Sequence, residues 1–94
     1  MDEDIAAAVR LRFPNGAEAI AERAFWDPVF CEICRDFAEA QTELVKWEAS
    51  LNPHAGKRCD EYRQLIIELA KEIEEALAKA KVVKLHHPPV QRSR

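Results

Sequence analysis

Apolar residues recur at alternating steps of three and four along two long stretches of this chain, and few folds accommodate that rhythm. In the first stretch, Pro28–Leu51, the series is Phe30, Ile33, Phe37, Ala40, Leu44, Trp47 and Leu51. The second stretch, Asp60–Val83, follows on from Cys59 with Tyr62, Ile66, Leu69, Ile73, Ala76, Ala80 and Val83. Such spacing draws one apolar stripe down a helix and leaves the remaining faces polar, whereas a half-buried strand requires alternation at every second residue. Cys34, Ala38, Gln41 and Val45 widen the stripe of the first helix, enough for it to meet more than one neighbour.

The ends of these helices are written locally. Trp26-Asp27-Pro28 is a start signal. Asp27 is placed to accept hydrogen bonds from the free N–H groups of the first turn, Pro28 sits where a missing N–H costs nothing, and Trp26 is placed to staple onto the following turn. The segment from Asn52 to Gly56 ends the first long helix, and Asp60 is the expected cap of the second. Upstream, Phe13-Pro14-Asn15-Gly16 is a break. It precedes a short helix at about residues 17–25, with Ala17, Ile20, Ala21, Ala24 and Phe25 on one stripe. Residues 1–12 read either as a short helix after an Asp4 cap or as partly extended chain.

About eight loop residues separate the long helices, and a connection that short makes antiparallel neighbours. The expected fold is therefore all-α: an antiparallel helical hairpin of two long helices, with the short helix covering the Cys34/Val45 flank in a three-helix arrangement. Residues 1–85 would form a single domain. Paired prolines after His87 cannot continue a helix, so residues 86–94 are expected to be a flexible C-terminal tail.

Bulk properties narrow the function. With 48% apolar and 33% charged residues, the composition is that of a globular chain. The net charge of −3 argues against general nucleic-acid binding, which needs a basic face. The basic residues Lys79, Lys81, Lys84, Arg92 and Arg94 at the back suit the C-terminal end of a helix dipole better than a phosphate backbone. No stretch approaches the roughly 20 apolar residues that span a bilayer. The N-terminus, Met1-Asp2-Glu3-Asp4, is acidic where a secretory signal is basic. A cytoplasmic location follows as the expectation, and three cysteines, an odd count, suggest reduced thiols rather than a disulfide framework.

One constellation could carry chemistry. Cys31 and Cys34 form a C-x-x-C, but within the second turn of a helix, with no preceding strand and away from the terminus where the dipole would activate a thiol. In an antiparallel hairpin His86 and His87 return beside them, giving a possible Cys₂His₂ zinc set of Cys31, Cys34, His86 and His87, although adjacent histidines chelate awkwardly. Cys59 would lie at the other end. The plain reading makes Cys34 a small core residue and Cys31 a half-exposed thiol. There is no Ser/His/Asp arrangement with a supporting context and no glycine-rich phosphate loop, and the carboxylates fall on exposed helical positions. No catalytic residue and no cofactor is indicated, so the chain is expected not to be an enzyme.

Apolar residues outside the two seams suggest a different role. Ile67, Val82 and Leu85 escape the second seam and Trp47 lies at the edge of the first, and together they are a candidate interaction surface for a protein partner or a second copy. The leading expectation is a small non-enzymatic protein–protein interaction module or self-associating helical hairpin. The alternative is a zinc- or redox-responsive protein using Cys31 and Cys34. The segments Trp26–Phe37 (WDPVFCEICRDF) and Tyr62–Leu69 (YRQLIIEL) resemble a group of small uncharacterised bacterial proteins with a similar helix–helix layout, over about residues 13–78. The resemblance implies that layout and brings no activity, cofactor or site residue.

Overall fold

The computed structural model describes residues 1–86, with side chains described as far as Ala78. Among the described residues the protein is all-α, with four helices and no strand: α1 (Glu3–Arg12), α2 (Ala17–Trp26), α3 (Pro28–Glu48) and α4 (Ala55–His86). No helix among them is long and apolar enough to cross a membrane.

The helix count corrects the three-helix expectation, because the N-terminal segment is itself a helix. Its cap is Asp2, not Asp4: the Asp2 side chain accepts from the Asp4 backbone N–H at 2.8 Å. The run Ala6–Ala8 supplies high helix propensity. Ile5 and Val9, one turn apart, are the residues this helix buries. After α1 the chain turns through residues 13–16, where the Gly16 N–H donates to the Phe13 carbonyl at 3.1 Å.

Asp27 caps α3 as its position implies, accepting from the Phe30 N–H at 3.1 Å with Pro28 in the first turn. The helix stops at Glu48, so Leu51 does not extend the seam and is fully exposed. α4 starts five residues ahead of the expected Asp60. The Asn52 side chain accepts from the His54 N–H at 2.8 Å, and that local turn launches the helix at Ala55. Gly56 falls in the first turn, with nothing within 4 Å of where a Cβ would stand.

One apolar core joins all four helices. α1 contributes Ile5 and Val9, α2 Ile20 and Ala24, α3 Phe30, Cys34, Phe37, Ala38 and Ala40, and α4 Leu69, Ala70 and Ile73. Cys34 and Ala38, on the second flank of α3, are buried alongside its main seam, so that helix meets α4 on one side and the N-terminal helices on the other. Phe13 joins from the turn, its ring centroid 5.9 Å from that of Phe37. α3 and α4 lie against each other: Arg63 of α4 pairs with Glu48 of α3 at 3.3 Å, and the Arg58 guanidinium lies 5.8 Å from the centre of the Trp47 ring.

The junction between α2, α3 and α4 is held by Arg23. Its Nε contacts Asp27 at 2.9 Å, and another guanidinium nitrogen donates to the Ala76 carbonyl of α4 at 3.1 Å. The guanidinium also sits over the rings of Trp26 and Phe30, at 5.0 and 5.3 Å. The Phe30 N–H, and after it the Arg23 side chain, hold the Asp27 carboxyl below its usual pKa. A depressed folded-state pKa stabilises the fold fully above the ordinary carboxylate range, and that contribution is lost as pH falls through the lowered value. Asparagine caps as well as aspartate but carries no charge. At pH 7 the melting midpoint is therefore expected to fall in the order wild type, Asp27→Asn, Asp27→Ala. The gap between wild type and Asp27→Asn should close as the pH is taken down through the carboxylate range. A gap independent of pH would remove the ion pair from the account.

Candidate functional site

The cysteines come first, because they are the residues with intrinsic reactivity. The 3.6-residue period turns Cys34 into the core, where it has no exposed surface, and leaves Cys31 half-buried. Burial, with the neighbouring Cys31 adding to it, pushes the Cys34 thiol up to about 11. A thiol so perturbed is a thiolate in only about one molecule in a thousand at pH 8, and the thiolate is both nucleophile and metal ligand. Cys59 is also buried, in the second turn of α4. No group of three or more His, Cys, Asp or Glu side chains is assembled around a possible metal position among the described residues. On α4 the structure describes only the backbone at His86, and His87 lies outside the described residues. With an alkylating reagent under reducing conditions, Cys31 is expected to label first, with Cys34 and Cys59 lagging until the protein unfolds. Equal rates at Cys31 and Cys34, read by mass spectrometry, would mean that α3 is rotated from the orientation described.

Of the apolar surface expected from the sequence, the structure describes the side chains of Ile67 and Trp47. Ile67 is 59% exposed, but it stands two residues from Leu65 and therefore on the far side of α4, between the registers of Arg63, Lys71 and Glu74. A single exposed isoleucine among charges is ordinary surface. Val82 and Leu85 fall on the part of α4 described by backbone alone. Trp47 is half-buried and stands one turn beyond Glu43, the last α3 residue to line a feature that the sequence alone does not isolate.

That feature is a groove between α3 and α4. It is an open depression of about 260 Å³, lined by Asp36, Glu39, Ala40 and Glu43 from α3 and by Tyr62, Leu65 and Leu69 from α4. Its origin is the register of α3. Val29, Ile33, Asp36, Ala40, Glu43 and Trp47 follow steps of 4, 3, 4, 3 and 4, a second line beside the buried one. This line is only partly covered, because α1 and α2 pack on the opposite side of α3. The floor is apolar, and Leu65 remains 40% exposed. The rim is acidic. Glu43 pairs with Lys46 at 3.2 Å, whereas no cation lies within ion-pair distance of Asp36 or Glu39 among the described residues. Glu72, one heptad on from Leu65, is exposed and carries the acidic rim onto α4.

A second exposed apolar group stands at the α2–α3 corner: Phe25, Trp26 and Val29 are 89%, 63% and 72% exposed. The sequence reading placed Phe25 on the buried stripe of α2. In the structure that stripe is centred on Ile20 and Ala24, and a step of 100° from Ala24 carries Phe25 outward. Among the described residues no polar or charged side chain is buried, so neither surface contains a desolvated acid or base.

Comparison of the chain with models of protein families, with curated proteins and with solved structures found no match.

Proposed function

We propose that this protein is a non-enzymatic protein-interaction module: an antiparallel hairpin of α3 and α4, braced on one side by α1 and α2, that offers its open side to a partner helix. The observation that carries the reading is the α3–α4 groove, with a floor of Ala40, Tyr62, Leu65 and Leu69 and a rim of exposed carboxylates. A two-helix groove of this kind is the usual receptor for the apolar face of a third helix. An acidic rim selects a helix whose apolar stripe is flanked by lysine or arginine, and like charge rejects acidic competitors. The antiparallel arrangement is supported by the contact of Glu48 with Arg63, which pairs the end of α3 with the early part of α4, and by Arg23 of α2, which holds both Asp27 at the start of α3 and the Ala76 carbonyl in the later part of α4. The acidic surface and the absence of a membrane-spanning helix among the described residues suit an aqueous compartment with a protein ligand rather than a nucleic acid.

The test uses a fluorescent amphipathic helix of leucine and lysine as a generic ligand. Saturable binding in the micromolar range is expected, weakened about tenfold or more by Leu65→Glu, which puts a charge on the groove floor. Leu65 is exposed enough for the variant to fold, and circular dichroism checks that it does. Binding that is not saturable, or that is indifferent to Leu65→Glu, would overturn the reading.

A further inference from the structure

The α2–α3 corner leaves Phe25, Trp26 and Val29 largely exposed. The Arg23 guanidinium stands 5.0 Å from the centre of the Trp26 ring on one side, and the rest of that side chain is open. Glu22 lies three and four positions before Phe25 and Trp26, which makes it their neighbour on the surface of α2. It is exposed, and no cation lies within ion-pair distance of it among the described residues. The corner is an apolar patch with an acidic edge. Three side chains are too few to hold a separate protein, because a stable interface takes about 800 Å² from each partner. A segment of the same chain needs far less contact, since a short tether keeps it at an effective concentration of about millimolar.

α4 carries such a segment to the corner. The Arg23 side chain that lies over Trp26 also donates to the Ala76 carbonyl, so the indole is within about 10 Å of α4 at that level. From Ala76 the helix continues to His86, about 15 Å further along its axis. The sequence then reads His87-Pro88-Pro89-Val90-Gln91-Arg92-Ser93-Arg94, residues that lie outside those the structure describes. Pro88 disfavours helix at His87, and paired prolines favour the polyproline conformation, which advances about 3.1 Å per residue. Residues 87–94 at that rise span about 25 Å, more than the distance back to the level of Ala76. Turned back along α4, His87–Val90 cover about 12 Å, which brings Val90 to within one helical turn of that level.

We infer that residues 87–94 fold back along α4 and cover the α2–α3 corner of their own chain, with Pro88–Val90 on Phe25, Trp26 and Val29 and the arginines beside Glu22. Proline-rich chain in the polyproline conformation docks on exposed aromatic side chains. The segment carries Arg92 and Arg94 and no acid, the charge that the Glu22 edge accepts. The inference does not use the groove, whose first α3 residue, Asp36, lies two turns beyond Val29.

Nuclear magnetic resonance on the isotope-labelled full chain tests this. The Val90 methyl signals are expected upfield of their random-coil positions, moved by the indole ring current, with nuclear Overhauser contacts from Pro88–Val90 to the rings of Trp26 and Phe25. Phe25→Ser, a change at an exposed position, should weaken the contacts and return Val90 toward its random-coil shift. Glu22→Lys should do the same, and adding Arg92→Glu and Arg94→Glu to it should restore the upfield shift. Random-coil shifts for Pro88–Val90 in the wild type, or an upfield shift that survives Phe25→Ser unchanged, would overturn the inference. Failure of the charge exchange to restore the shift would overturn the placement of the arginines beside Glu22. A mixture of labelled and unlabelled copies shows whose segment is bound: contacts within one copy are expected, and contacts between copies would overturn the assignment to the same chain. Leu65→Glu should leave all of these signals in place, and the leucine–lysine helix should still bind the Phe25→Ser variant, so the corner and the groove stand or fall separately.

Discussion

Replacing Phe37 with alanine is expected to destabilise the protein by about 3–5 kcal/mol, the range for removing a buried aromatic ring from a packed core. Phe37 has no exposed surface, and its ring meets that of Phe13 from the turn that joins α1 to α2. It stands on α3 where the N-terminal helices and α4 converge, so a cavity there loosens contacts to both sides. Neighbours that could collapse inward are themselves fixed, since Cys34 and Ile73 are also fully buried. Domains near this length are stabilised by only about 5–15 kcal/mol in all. A fall of about 15 °C or more in the melting midpoint follows. A change within a degree or two would place Phe37 outside the core and remove the register from which the groove is derived.

The second large effect is expected at Arg23. One guanidinium contacts the cap of α3, a carbonyl of α4 and the faces of two aromatic rings, and its side chain is only 19% exposed. Hydrogen bonds to charged groups contribute about 1.5–3 kcal/mol each when one partner is removed. The Asp27 carboxylate would keep the Phe30 N–H and part of its solvation, so we expect Arg23→Ala to cost about 2–3 kcal/mol in all. Lysine should recover only part of this, because a point charge cannot reach Asp27 and Ala76 together while stacking on a ring. The loss should also be local. Amide hydrogen exchange is expected to rise first around Ala76, where α4 loses its tie to α2, before it rises at Leu69 and Ile73. Uniform loss of protection, or full rescue by lysine, would mean that Arg23 acts as a generic surface charge.

The two long helices were legible because each carries seven or more apolar residues in a 3–4 rhythm, and because Asp27-Pro28 admits few alternatives at a helix start. Helix ends were less legible. Asp60 resembles a cap and Gly56 a breaker, yet Asn52 starts α4 earlier, since its side chain satisfies the local N–H before Asp60 is reached. α1 was ambiguous because ten residues with only Ile5 and Val9 to bury have weak periodicity, and their helicity is decided by packing on α3. The groove was missed for a different reason. Its α3 wall is Asp36, Glu39 and Glu43 around Ala40, carboxylates that read as solvated surface until α4 sets Tyr62, Leu65 and Leu69 opposite them. Ile67 is exposed, as its place off the seam implies, and it stands on the far side of α4 from Leu65.

Mapping a bound helix residue by residue tests the central claim most directly. Backbone NMR of the full chain, titrated with the leucine–lysine helix, is expected to shift the amides of Asp36, Glu39, Ala40 and Glu43 on α3 and of Tyr62, Leu65 and Leu69 on α4 more than those of Phe25 and Ile67. Shifts confined to the Phe25, Trp26 and Val29 corner, or centred on Ile67, with the groove amides unmoved, would contradict the claim.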